Sequence, residues 1–137
     1  MSMGREKYVL YAEDDPDDQL LMREVLSMVD STVHLITCEH GKEAFEYLKQ
    51  LPEEAHLPCL IILDLNMPVW DGMETLRALK SEPRFLHLPV LLFSTTNNDS
   101  DRNLALELGA VSFVTKPTTY RNLEIIIGSF NAYFAGC

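Results

Sequence analysis

The chain has 137 residues with 47% apolar content, enough for one ordinary domain with a core of its own, and a single domain over residues 1–137 with no output domain is expected. Its 21 acidic side chains against 11 basic ones give a formal charge of −10, which argues against nucleic acid as a partner because such binding needs Lys and Arg to neutralise phosphates. No run approaches the roughly 20 apolar residues of a membrane span, and the amino end MSMGREKYVLYAEDD has no separate signal-peptide apolar region, so a cytoplasmic protein off the membrane is expected.

Short β-rich runs alternate with longer segments of helical period, the pattern of β-α-β units around a parallel sheet. YVLYA (8–12) is the first predicted strand. PDDQLLMREVLSMV (16–29) is the first helix, with Asp15 as its cap, Pro16 in its first turn, and Leu21, Val25 and Met28 on one face. TVHLIT (32–37) follows as a strand, then GKEAFEYLKQL (41–51) as a helix with Ala44, Tyr47, Leu48 and Leu51 on one side. CLIIL (59–63) is the third strand. Its consecutive aliphatics fit burial on both faces, and Asp64 then falls at a carboxyl-terminal sheet edge, where open α/β sheets bind ligands.

A helix over 73–80 and a buried strand PVLLF (89–93) come next. The helix DRNLALEL (101–108) ends at Gly109 in a left-handed cap position. SFVT (112–115) is the fifth strand, and YRNLEIIIGSFNAYF (120–134) closes the chain as one helix with Leu123, Ile126, Ile127, Phe130 and Phe134 at helical spacing. Right-handed crossovers with helices on both faces predict a flavodoxin-like doubly wound (βα)5 fold, with a five-stranded parallel sheet in the order 2-1-3-4-5. That order brings the ends of strands one and three together.

Strand one ends in AEDDPDDQ, where Glu13, Asp14, Asp15, Asp17 and Asp18 crowd into six positions. In the assembled sheet Glu13 and Asp14 face Asp64, and like charges so close repel unless a cation intervenes. The cluster therefore predicts a half-open Mg²⁺ site, since Mg²⁺ commonly takes one or two carboxylates and keeps waters or a phosphate oxygen. Ser94 and Lys116 end strands four and five at the same edge. Acids, a hydroxyl and an amine around one spot suit a phosphoryl group.

The stretches EDDPDD, LDLNMPVWDG, LLFSTT and GAVSFVTKP, in this order and spacing, resemble bacterial response-regulator receiver domains, the phosphorylated halves of two-component systems. The resemblance covers about residues 7 to 134. It implies that Asp64 is the phosphoacceptor, that Asp14 and Asp64 ligate Mg²⁺ with the backbone carbonyl of Asn66, and that Glu13 acts through water. It also implies Ser94 as the switch hydroxyl, Lys116 as the phosphoryl-pairing lysine, Phe113 as the switch aromatic, Asn66 and Thr96 as lifetime-tuning positions, and a cis Lys116–Pro117 bond. The implied activity is phosphoryl acceptance from a sensor histidine kinase or a phosphotransfer protein, with a surface change as output and no enzymatic role beyond self-phosphorylation and autodephosphorylation. The segment STTNNDSDRNLALELGA is similar to single-domain regulators that partner bacterial phytochrome kinases, which implies a homodimer through the fourth helix, fifth strand and fifth helix.

Rival readings fit less well. A flavin phosphate would need hydroxyls, glycine and backbone donors after strand one, where EDDPDDQ repels it. An aspartyl phosphatase would need a second acid two positions after Asp64, where Asn66 stands. A receiver-like module that only binds would not need the full set of Glu13, Asp14, Asp64, Ser94 and Lys116. Cys38, Cys59 and Cys137 have no metal or redox spacing, and Cys38 and Cys59 are expected as reduced core or strand-end residues. His34, His40, His56 and His87 read as ordinary surface or strand residues, and Trp70 as a packed loop aromatic.

Overall fold

The apolar runs at 60–63 and 90–93 have no polar side chain to offer water on either face, so each must sit mid-sheet with helices above and below. In the computed structural model, which describes residues 6–137, that is their position. Strands β1 (Lys7–Ala12), β2 (Val33–Cys38), β3 (Leu60–Asp64), β4 (Val90–Ser94) and β5 (Ser112–Thr115) form one parallel sheet in the order β2-β1-β3-β4-β5. The fold is the flavodoxin-like doubly wound one expected. Residues 1–5, part of the amino end searched for a leader, lie outside the described residues. No helix among the described residues is long and apolar enough to cross a membrane.

Helices α1 (Pro16–Val29), α2 (Gly41–Gln50), α3 (Gly72–Lys80), α4 (Asp99–Glu107) and α5 (Tyr120–Gly128) connect and cover the strands. Their ends follow local chemistry. Asp15 caps α1 by accepting from the Asp17 amide, and Asp71 and Glu74 form a reciprocal capping box on α3. Gly109, at φ +106°, takes the left-handed position just past α4. One core packs α1, α5 and the chain end against the sheet through Val9, Tyr11, Leu60, Ile62 and Phe93; the other packs α2, α3 and α4 through Leu10, Ile61, Leu63, Leu92 and Phe113.

Three expectations are corrected. The inward face of α1 is Met22, Val25 and Leu26 with Leu21 packed at its edge, whereas Met28, expected on that face, is 65% exposed; both sets keep helical spacing. The closing segment 120–134 is two helices, α5 and a short α6 (Asn131–Ala135). Gly128 is a weak helix former, the Ser129 hydroxyl bonds back to the Ile126 carbonyl, and the amides of Ser129 and Phe130 bond three residues back, tightening the chain out of the α-helix. Leu123, Ile127, Phe130 and Phe134 are buried all the same.

Cys59 is not a reduced thiol but is bonded to Cys137. Phe134 anchors the chain end in the core, and Lys7 Nζ donates to its carbonyl at 2.7 Å, which leaves Cys137 beside the start of β3 with the two Cα atoms 5.3 Å apart. That separation is within disulfide reach. Cys38 is free and buried, as expected.

Candidate functional site

Parallel pairing sets Ala12 beside Leu63, so the next residues, Glu13 just past β1 and Asp64 at the end of β3, meet where the chain reverses direction across the sheet. Glu13, Asp14 and Asp64 each place a carboxylate oxygen within 4.8 Å of the others. Asp64 and Glu13 are buried, whereas Asp14 is exposed at the rim. The pairing of Asp64 with Phe93 and of Ser94 with Thr115 then carries the site across β4 to β5. Lys116, next after β5, donates its backbone N–H to the Ser94 carbonyl at 2.6 Å.

The Lys116 ammonium is the cation of this cluster. It contacts Glu13 Oε1, lies 2.8 Å from Asp18 Oδ2 and 3.6 Å from Asp64 Oδ2. Burial alone would pull its pKa down, but the hydrogen bonds to Asp18 and Glu13 outweigh that and hold it above the ordinary lysine value. Burial pushes the Glu13 carboxyl up to about 7, against the opposing hydrogen bond from Lys116 and with further upward pressure from Asp64. Tyr11 Oη and the Asp15 amide donate to the two Glu13 oxygens, each at 3.2 Å. One ammonium cannot balance Glu13, Asp14, Asp18 and Asp64 together. The residual charge and the oxygen-only donor set fit a hard divalent cation.

The loop between β3 and α3 is held close to this cluster. The Asn66 amide donates to Asp64 Oδ1 at 3.4 Å, and the Gly72 amide to the Leu65 carbonyl at 3.0 Å. A Cβ on Gly72 would stand 2.8 Å from the Asp64 carbonyl oxygen, so only glycine lets α3 start there. Trp70 is packed, as expected, with its ring centroid 5.5 Å from that of Phe45.

Ser94 is fully buried, and its Oγ accepts from the Thr96 amide at 3.1 Å and lies 3.2 Å from Thr96 Oγ1. Phe113 is buried in the α2/α3/α4 core with the Arg102 guanidinium 5.3 Å from its ring centroid, while Arg102 Nη1 donates to the Phe113 carbonyl at 3.0 Å. The Lys116–Pro117 bond is trans, as is every described peptide bond, in place of the cis bond expected; trans is the intrinsically lower-energy form, by about 0.5–1 kcal/mol before proline.

Thus Glu13, Asp14, Asp64 and Lys116 are brought together, with Ser94 and Asn66 on the adjoining strand end and loop, whereas Phe113 lies beneath the surface one strand away. Sequence reasoning counted Asp18 among the acids without seeing that it pairs with Lys116. It also missed the Tyr11 hydroxyl on Glu13 and the Arg102 guanidinium on Phe113. No local signal marks the Asp18–Lys116 and Arg102–Phe113 contacts, because each joins elements that meet only in the assembled fold, whereas the i, i+2 spacing of Tyr11 and Glu13 along one strand end was a signal that could have found theirs.

A doubly wound parallel sheet with an acidic cluster and a lysine at its switch point defines a receiver-type signalling domain. Residues 9–127 match the family described as response regulator receiver domain, and the chain belongs to that family. Response regulator Rcp1 of Synechocystis sp. is 31% identical over 130 residues, covering 93% of this chain and 88% of Rcp1. The structure of the phosphorylated cyanobacterial phytochrome response regulator RcpA is similar with a TM-score of 0.85 at 31% identity, covering 96% of each chain. The structure of the Mn²⁺-bound form of Rcp1 gives 0.80 at 31% identity, covering 93% of this chain and 94% of that one.

Proposed function

We propose that this receiver domain accepts a phosphoryl group on Asp64 from a sensor histidine kinase and signals through a phosphorylation-dependent change of surface in the cytoplasm. The observation that carries this reading is Asp64 itself: a buried carboxylate at the sheet edge, 3.6 Å from the Lys116 ammonium and clustered with Glu13 and Asp14. The likeness to phosphorylated RcpA supports the reading and makes a phytochrome-type kinase the favoured donor, with a phosphotransfer protein as the alternative.

In the proposed step an Asp64 oxygen attacks phosphorus in line. The bond between phosphorus and the donor's imidazole nitrogen breaks with its electron pair leaving on that nitrogen, and the product is an acyl phosphate. Lys116 offsets charge on the transferring group. Asp14, Asp64 and the Asn66 carbonyl would hold Mg²⁺, with Glu13 acting through water; the Mn²⁺-bound form of Rcp1 supports a divalent cation here. When bound, the cation supplies positive charge beside the phosphoryl oxygens.

The output follows from what the new oxygens attract. Ser94 gives up its contact with Thr96 Oγ1 and turns toward the phosphoryl group, Phe113 shifts into the space released, and the surface of α4, β5 and α5 is remade. Phe113 has no hydroxyl, so the aromatic acts by volume alone. Asn66 and Thr96 flank the acyl phosphate and set its lifetime. Leu106, Val111 and Ile125, exposed on that same surface, favour a homodimer across it. The domain's role is signalling, with no catalysis beyond its own phosphorylation and autodephosphorylation.

The experiment is intact-protein mass after incubation with acetyl phosphate and Mg²⁺. One phosphoryl group is expected on the native chain and none on Asp64→Ala or without metal. A folded native chain that takes no phosphoryl group and ignores beryllofluoride would leave a binding-only module. Sedimentation before and after phosphorylation tests the dimer, and a monomer in both states removes it.

A further inference from the structure

Lys116 pairs with two carboxylates besides Asp64, and only one of them belongs to the acidic cluster. Among the described residues the carboxylate oxygens lying within 4.8 Å of one another come from Glu13, Asp14 and Asp64; Asp18 is outside that group. Asp18 stands in the first turn of α1 and reaches Lys116 Nζ at 2.8 Å, closer than Asp64 does at 3.6 Å. This ion pair bridges α1 to the end of β5 over a cavity of about 40 Å³ walled by Tyr11, Leu21, Met22, Phe93 and Leu123.

We propose that Asp18 is a positioning residue that holds Lys116 in reserve, competing with an incoming phosphoryl group for the ammonium and so slowing phosphorylation. The inference rests on the reading of Asp64 as phosphoacceptor. An ammonium has three N–H donors, and Glu13 and Asp18 engage it in the resting protein. The two partners differ in how easily they are displaced. The Glu13 side chain is 1% exposed and fixed by Tyr11 and Asp15, whereas that of Asp18 is 36% exposed, and pairs near water contribute little when kept and cost little to break. Asp18 is therefore the exchangeable partner. While it remains, it cancels charge that would draw in an anionic donor and adds repulsion of its own.

The test is the initial rate of phosphorylation of the full chain by acetyl phosphate with Mg²⁺, for the native protein, Asp18→Asn and Asp18→Glu, at low and high NaCl. Asp18→Asn, which keeps the shape and removes the charge, is expected to be faster by about three- to tenfold at low salt, through a lower half-saturating acetyl phosphate concentration. The gain shrinks toward unity near 1 M NaCl, where the screening length falls to about 3 Å. Asp18→Glu returns the rate toward the native one, and beryllofluoride affinity rises in Asp18→Asn by a factor similar to the gain in rate. A rate in Asp18→Asn equal to or below the native one, with unchanged beryllofluoride affinity, overturns the proposal. A folded native chain that gains no phosphoryl group and binds no beryllofluoride fails differently: it removes Asp64 as acceptor and this inference with it.

Discussion

Val69 stands at φ +66° in the loop between β3 and α3, a left-handed conformation that costs an L-residue about 1–2 kcal/mol. The loop can impose it because both flanks are tied down: the Gly72 amide holds the Leu65 carbonyl, the Gly41 amide holds the Trp70 carbonyl, and the Trp70 ring packs on Phe45. The side chain is exposed, so Val69→Gly removes strain with little lost burial. It should raise stability by about 1 kcal/mol in a denaturant titration; an unchanged or lower midpoint would mean the loop carries no strain. Cys38 is a second residue whose environment fixes its behaviour. Burial, with the Glu43 carboxylate adding to it, pushes its thiol up to about 12. The folded state thus holds the proton more tightly than the unfolded chain, so this group's contribution to stability is complete below about pH 9 and fades as pH rises toward 12. At pH 8 the native thiol should alkylate about a thousandfold more slowly than in the denatured chain, and a native rate near the denatured one would contradict the burial. The acids at 13, 14 and 64 and the lysine at 116 were legible in sequence because each directly follows or overlaps a strand end, and strand ends are fixed by apolar runs. The Asp18–Lys116 pair was not, because it depends on how α1 is rotated against β5.

Helical spacing placed α5 correctly and still ran through its end, since Phe130 and Phe134 keep the apolar rhythm across a break made by Gly128 and Ser129. Periodicity records which residues are buried, and α6 buries Phe134 from a separate turn of chain. The same ambiguity put the exposed Met28 on the inward face of α1 and left out Met22 and Leu26, where either set satisfies the spacing and only packing against β1 and α5 decides. The Cys59–Cys137 bond lies beyond any spacing argument, its ends being 78 positions apart in sequence. A closed loop of that size restricts the unfolded chain by about 4 kcal/mol in the chain-entropy account. Dithiothreitol should therefore lower the melting temperature of oxidised protein by roughly 15 °C. Cys137→Ser should melt near the reduced value and be indifferent to the reductant. A native protein equally indifferent would mean the bond does not form in solution.

The whole molecule carries a formal charge of −10, and its densest acidity lies where β1 and β3 end side by side. This repulsion works against folding, and a hard divalent cation among the same carboxylates would relieve it. A ligand that binds only the folded state stabilises it by RT ln(1 + [L]/Kd), about 1.4 kcal/mol at ten times Kd. Mg²⁺ or Mn²⁺ should accordingly raise the melting temperature of the native chain by several degrees. Asp14→Asn and Asp64→Asn remove a donor from the cluster and should abolish most of that rise. Each also removes one of the like charges held within 4.8 Å, so the metal-free variants should melt above the metal-free native protein, not below it. These two shifts have opposite signs and come from the same carboxylates, which separates a built cation site from general screening of an acidic surface: NaCl at matched ionic strength reproduces neither the size nor the residue dependence of a site-bound ion. A rise in melting temperature with Mg²⁺ that survives both substitutions would place the ion elsewhere on the surface and leave the acidic edge with repulsion alone.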